Sequence, residues 1–395
     1  MAYRLPTGQE RAELFARIAA TAAERERGCV DPHEQVDMVR GSGLTALTLD
    51  ESLGGPGGDI ADLMRFVIDL SAADPIVAHI LRSHFLQMQM IRRLPAGPNR
   101  DRWIKEILSG AVFGNATSER EGALGTAEYA TVLTPDADGW RLSGTKFYTT
   151  GTMYSDWVMA VAQFDGSKVA RINLPLDREG IEILDDWDGM GQHRTGTGTT
   201  RFTNVRVTKD DFVRITDPAD PQVGNESALM QLYLQAIMAG VLHAVVADAA
   251  AVLRSRTRTF DHAPAPVLTA DPLMLETVGR LAASAHAAES AVLAAAADID
   301  AAYASERAGA PDPELFRRAS LSAALVKVHV DDIAPKAANT LFDVGGASSA
   351  SRTRNLDRHW RNIRTLTLHN PTSYKSLAIG NLIVNDAPLP ANGYF

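Results

Sequence analysis

Near the end of the chain stands a run dense in groups that donate, bind or carry charge: Asp357-Arg358-His359-Trp360-Arg361-Asn362-Ile363-Arg364, then His369-Asn370-Pro371 and Ser373-Tyr374-Lys375. Trp360, Ile363 and Thr367 share one helical face, and Arg358, Arg361 and Arg364 an adjacent one. Pro371 cannot continue a helix and pushes Asn370 out of the α region, so the chain turns at His369-Asn370. Pro371 then suits the first position of a new helix, with Asn370 as its cap. His369 is thereby held at a helix end beside cationic and amide groups, where the dipole favours its protonated form while Arg361 and Arg364 oppose it. A helix–turn–helix joint with a solvated basic face accounts for the same pattern.

Three further blocks carry polar groups at close spacing. In the segment from Phe113 to Glu119, Asn115 and Ser118 supply short hydrogen-bonding groups and Gly114 permits close backbone approach; a strand ending in a polar turn reads equally well. The segment from Leu142 to Gly151 holds Phe147 and Thr149, which also suit an ordinary strand. The third runs from Asp185 through Trp187 to Gln192 and on to Thr200. Its Gly196-x-Gly198 is no dinucleotide fingerprint, because Arg201 stands at the third glycine and the flanks read as strands. No metal site is expected: Cys29 is the single cysteine, His359 and His369 are too far apart for one helical face, and His329-x-Asp331 lacks a third ligand.

The elements that must position these groups follow a simple order. With 395 residues, 45% hydrophobic and 22% charged, the chain has an ordinary globular balance and length for two or three domains. A net charge of −9 argues against nucleic acid as a partner. The start lacks the apolar core of a signal peptide, and the apolar run around 236–253 is broken by His243 and Asp248, so no membrane span and a cytoplasmic location are expected. Helices are predicted at 8–28, from an Asp31 cap onward, and at 59–73, 75–94 and 99–109. Period-two runs at 127–133, 140–143, 157–164, 170–174 and 199–207 predict strands. After a Pro/Asp-rich linker at 217–221, long Ala-rich helices are predicted at 224–258, 271–307, 313–343 and 354–368, with a last one from Pro371. The expected class is α+β, with a helical domain over 1–110, a β-barrel or sandwich over 111–215 and a helical bundle over 222–395.

The run from Asp357 to Lys375 and the blocks before it resemble the dibenzothiophene monooxygenase family, flavin-dependent monooxygenases built on the acyl-CoA dehydrogenase fold with its C-terminal four-helix bundle. The shared elements are Trp360-Arg361-Asn362, Arg364-Thr365, Leu368-His369, Pro371, Ser373-Tyr374-Lys375, the Gly114-Asn115-Ala116 and Ser118-Glu119 pairs, and Asp185-Asp186-Trp187. The resemblance implies that Asn115 and Ser118 lie near flavin and substrate, that Phe147 and Thr149 run along the flavin ring, and that Trp187 faces it. It implies that His84 borders the substrate cavity and that His369 hydrogen-bonds the oxygenated C4a adduct of the flavin, with Asn370 beside it. Arg258, in Arg258-Thr259-Phe260, matches a residue that reaches a flavin phosphate across a subunit boundary, and Gly345-Gly346 a bend before the signature helix. Reduced FMN from a separate NAD(P)H:flavin reductase, dioxygen, a small-molecule substrate and a homotetramer come with the family.

An acyl-CoA dehydrogenase using FAD is the alternative on this fold, and it needs a carboxylate to take the α-proton of a thioester. The two stretches that usually supply it, 365–373 and 231–243, contain no Asp or Glu. Attack by a sulfur or nitrogen lone pair on activated oxygen needs no such base. A non-catalytic bundle protein is the third class, and it leaves the flavin-facing blocks without a purpose.

Overall fold

Thr7 and Glu10 exchange side-chain-to-backbone hydrogen bonds, and this reciprocal cap starts α1 (Gly8–Gly28). The computed structural model describes residues 3–120, 128–217, 227–390 and 395. Helix α2 (His33–Gly41) begins without the expected Asp31 cap: Pro32 holds the cap position, and Asp31 instead accepts from the Tyr154 hydroxyl and from Arg194. Asp59 and Asp62 form the second reciprocal cap, opening α3 (Ile60–Ala73). The single helix expected over 75–94 is two, α4 (Pro75–Ile80) and α5 (Arg82–Arg92), meeting at Leu81. At the break the Ala78 carbonyl accepts from the Tyr233 hydroxyl at 2.9 Å. Helix α6 (Pro98–Leu108) completes the N-terminal helical part.

The β part is one eight-stranded sheet. Its strands are β1 (Phe113–Ala116), β2 (Val132–Asp136), β3 (Gly139–Lys146), β4 (Trp157–Phe164), β5 (Lys168–Pro175), β6 (Ile181–Leu184), β7 (Thr199–Val207) and β8 (Phe212–Thr216). The order is β6-β7-β3-β2-β4-β5-β8, with β1 parallel to β4. Strands β4 and β7 coincide with their period-two runs, whereas β1, β6 and β8 are short and were not predicted as strands. The run at 127–133 begins outside the described residues, and its strand lies later, at β2. The linker expected at 217–221 lies outside the described residues from 218 on.

Three long helices follow: α7 (Ser227–Ser255), α8 (Pro272–Arg307) and α9 (Pro313–Gly345). Asp271 and Asp312 cap α8 and α9, each with proline just inside. Helix α7 is long and apolar enough to cross a membrane by composition, but α3, α8 and α9 surround it and its side chains form the centre of the main core. The shorter α10 (Asp357–Thr367) and α11 (Thr372–Asn385) lie against α9.

Helix α10 is seated by ion pairs rather than by a solvated basic face. Asp248 on α7 accepts from Arg358 at 2.7 Å and His359 at 2.8 Å, and Glu26 on α1 pairs with Arg361 at 2.5 Å. The buried face carries His359, Asn362, Ile363, Leu366 and Thr367, with Trp360 turned outward.

Candidate active site

The Asp-Asp-Trp block shapes a groove at the rim of the sheet. Asp185 pairs with Arg194 at 2.7 Å, and Asp186 accepts from the Thr199 backbone at 2.8 Å and its hydroxyl at 2.7 Å, so the two carboxylates pin both ends of the intervening loop. Between them Trp187 walls a groove of about 190 Å³ opposite Phe147 and Tyr148, with Thr197, Gly198 and Thr199 along it. Arg120 stacks over the Phe147 ring at 4.1 Å.

Phe147 is held from behind by a buried ion pair. Its backbone N–H donates to Ser118 O at 2.9 Å, the neighbouring Lys146 is fully buried, and Lys146 Nζ reaches Glu119 at 2.7 Å. Burial pushes the Glu119 carboxyl up, yet hydrogen bonds from Lys146, Thr131 and Ala130 outweigh it and hold the group down at about 2. For Lys146 burial wins and the ammonium falls to about 8. The carboxylate is the anchored partner, because it alone takes two backbone N–H groups besides the lysine.

A second cluster lies where α4, α5, α7 and α10 converge. His369 is exposed, yet burial comes first among the causes that hold its imidazole well below its ordinary range, followed by Arg82, Lys327, His79 and Lys375. A ring that solvent reaches but dense protein surrounds stands in a recess. The opposing cations are therefore not Arg361 and Arg364, which are bonded to Glu26 and to Thr367, and the helix dipole does not prevail: His369 is neutral at pH 7. Arg82 Nη1 approaches His369 Nε2 at 3.5 Å, so Nε2 accepts and Nδ1 carries the proton. Asn370 does not cap α11; Pro371 holds that position, and Asn370 Nδ2 donates to Gln231 Oε1 at 2.9 Å. Lys375 is lowered to about 7 by burial and by Lys327, and Lys327 pairs with Asp331 at 2.7 Å.

A seam of close contacts joins groove and recess. His79 Nδ1 donates to Gln192 Oε1 at 2.9 Å, and Gln192 N donates to Asn362 Oδ1 on α10 at 2.7 Å. Burial, then Arg82, lowers His79 to about 3, so it too is neutral. A Cβ on Gly191 would lie 2.2 Å from Arg361 O, and one on Gly151 2.3 Å from Ile80 O; only glycine lets the sheet's loops touch the helices here.

The expected site residues thus fall in several places. Ser118, Phe147 and Trp187 build the groove, and His369 and Asn370 the recess. Asn115 on β1 is half-buried, its N–H donating to Thr152 and its side chain accepting from Thr117. Thr149 is fully buried and its hydroxyl proton goes to Gly198 O at 3.0 Å, so it fixes the groove's floor rather than presenting a donor. His84 does not border a cavity: it is fully buried, Nε2 donating to Thr45 O at 2.8 Å and Nδ1 facing Phe113 N at 3.4 Å, and burial lowers it to about 4. Arg258 lies past the end of α7, exposed. Gly345 ends α9 and Gly346 caps it with φ of 58°, and Arg256 beside Arg258 donates to Val344 O there. His79, Arg82, Gln192 and Gln231 were missed; in the sequence only the proximity of His79 and Arg82 to His84 marked them.

Comparison with known proteins agrees with this geometry. The family described as acyl-CoA dehydrogenase, N-terminal domain, matches residues 9–111, and acyl-CoA dehydrogenase, C-terminal domain, matches 232–374, together more than half of the chain. A probable FMNH2-dependent monooxygenase, SfnC of Pseudomonas putida, is 28% identical across 96% of this chain and 95% of that protein. TdsC of Paenibacillus sp. A11-2, a dibenzothiophene monooxygenase solved with FMN and indole, is 26% identical over 98% of both chains with a TM-score of 0.88. Methanesulfinate monooxygenase MsuC of Pseudomonas fluorescens is 27% identical over 99% of this chain and 100% of that one, with a TM-score of 0.87. The fold, the seam that joins groove to recess, and these likenesses place the chain in the acyl-CoA dehydrogenase superfamily, among its dibenzothiophene monooxygenase-like flavin-dependent monooxygenases.

Proposed function

We infer that the protein is the oxygenase of a two-component, flavin-dependent monooxygenase, using FMN reduced by a separate NAD(P)H:flavin reductase and dioxygen to oxygenate a small molecule at sulfur, nitrogen or carbon. One observation carries the reading: an aromatic-walled groove opens beside a recess whose histidine is neutral and near which Arg82 finds no carboxylate partner among the described residues. The groove fits an isoalloxazine, offering Phe147 and Trp187 as stacking faces and the Thr197–Thr199 backbone along one edge. Bound reduced FMN supplies the two electrons that send one oxygen atom into the substrate and the other into water. The chain's own residues do the rest. Phe147 and Trp187 orient the ring, Asp186 and Thr149 keep the floor rigid, and the His369 Nδ1–H donates to the reacting oxygen. The seam at Gly151, Gly191 and Gln192 keeps water from the space between groove and recess.

The assembly is a cytoplasmic homotetramer in which Arg258 and the Gly345-Gly346 end of α9 serve a neighbour's flavin phosphate. Exposed Arg258 and the bare outer face of α11 support it. Substrates in this family range from a neutral aromatic such as the indole bound to TdsC to the anion in the name of methanesulfinate monooxygenase. The test is stoichiometric: protein supplied with reduced FMN and air should convert a thioether or sulfinate to product, while NADH without a reductase should give none. Co-purified FAD that bleaches anaerobically on adding an acyl-CoA would instead establish the dehydrogenase.

A further inference from the structure

We propose that the recess recognises an organic anion, with Arg82 binding a carboxylate or oxidised-sulfur oxygen of the substrate and Gln231 and Gln192 supplying further donors. The inference rests on the monooxygenase reading and narrows its substrate class. Arg82 heads α5, and its Nε and Nη2 share one acceptor, Met230 O, at 3.3 and 3.0 Å. Its Nη1 edge faces solvent beside His369. Among the described residues no carboxylate lies within ion-pair distance of it, although the guanidinium is desolvated enough to fall to about 10. A partly dehydrated guanidinium without a counter-ion is costly, and a site that keeps one is complete when an anion arrives.

The neighbours repeat the sign. Gln231 Nε2 and Gln192 Nε2 are buried amide nitrogens with no partner, whereas the oxygens of both side chains are taken by Asn370 and His79. What the recess lacks is therefore acceptors, not donors. Lys327 and Lys375 add positive potential, and His79 and His369 add no negative charge. A neutral polycyclic aromatic would leave these donors unsatisfied; a sulfinate, sulfonate or carboxylate oxygen would satisfy them.

Isothermal titration of the FMN-loaded protein tests this with three probes of similar size: benzenesulfinate, benzoate and the neutral methyl phenyl sulfone. The anions should bind at least about tenfold tighter than the sulfone, and the two anions separate sulfinate from carboxylate recognition. Arg82→Gln should abolish the preference while sulfone affinity stays within about threefold, and Arg82→Lys should keep part of it. Equal wild-type affinity for anions and sulfone overturns the proposal, and so does a preference that survives Arg82→Gln. If Arg82→Gln fails to fold, the wild-type comparison and Arg82→Lys still decide. Absence of FMN binding in the wild type is a separate result, and it refutes the flavin reading instead.

Discussion

At the scale of single residues, the site separates groups that hold from groups that act. Thr149, His84 and Asn370 are hydrogen-bonded into the fold, while His369 keeps one N–H directed at nothing in the chain. His369→Ala should therefore leave FMN affinity in place but release hydrogen peroxide instead of oxygenated product. The expected loss in coupled turnover is on the order of 10²-fold, the effect of removing one oriented donor; unchanged product per flavin consumed would make His369 a helix-end residue only. The sign of the pH dependence follows from the depressed imidazole. Because its folded pKa lies well below 6.5, no charge change of His369 occurs above that value, and the product-to-peroxide ratio should stay flat from about pH 7 to 9.

At the scale of elements, the flavin wall depends on a buried pair that joins two strands. Glu119 has its folded pKa lowered from 4.5 to about 2, so its stabilising contribution is complete above 4.5 and disappears as pH falls towards 2. Glu119→Gln should destabilise the protein by roughly 3 kcal/mol at pH 7, the lower end for leaving one buried charge unpaired. Thermal melts should show the gap to wild type narrowing below pH 4.5; a constant gap would mean that shape rather than charge is at stake. Elements of this kind were partly legible. Helix α3 could be read from Asp59 and α8 and α9 from their proline starts, because those signals are local. The break at Leu81 was not, since the Tyr233 hydroxyl that takes the Ala78 carbonyl lies 155 residues away. The groove residues could be found because Asp185-Asp186-Trp187 is contiguous. The recess could not, because Arg82, Gln231 and His369 meet only through tertiary packing, and nothing local in the sequence marks a lone helical Gln or Arg.

At the scale of the molecule, the outer face of α11 is bare: Tyr374, Leu377, Ile383 and Val384 are 69 to 78% exposed. So much uncovered aliphatic surface on one helix calls for a partner, and in the proposed tetramer another copy covers it. Ile383→Asp should shift the mass found by light scattering from about four times 42.5 kDa to a smaller species, and weaken FMN binding as Arg258 is withdrawn. A tetramer that persists with unaltered flavin affinity would place the subunit contact elsewhere.

The bond between Glu26 and Arg361 spans 335 positions of sequence. On a ribosome adding about 5–20 residues per second, Glu26 waits roughly 15–70 s for its partner, and the recess has no floor until α10 has emerged. The first helix, the sheet and most of the bundle are by then long made. Oxygen activation is thus withheld from the nascent chain: a half-built enzyme has no His369 and no seam, and it cannot spend reduced flavin on peroxide before its last forty or so residues arrive.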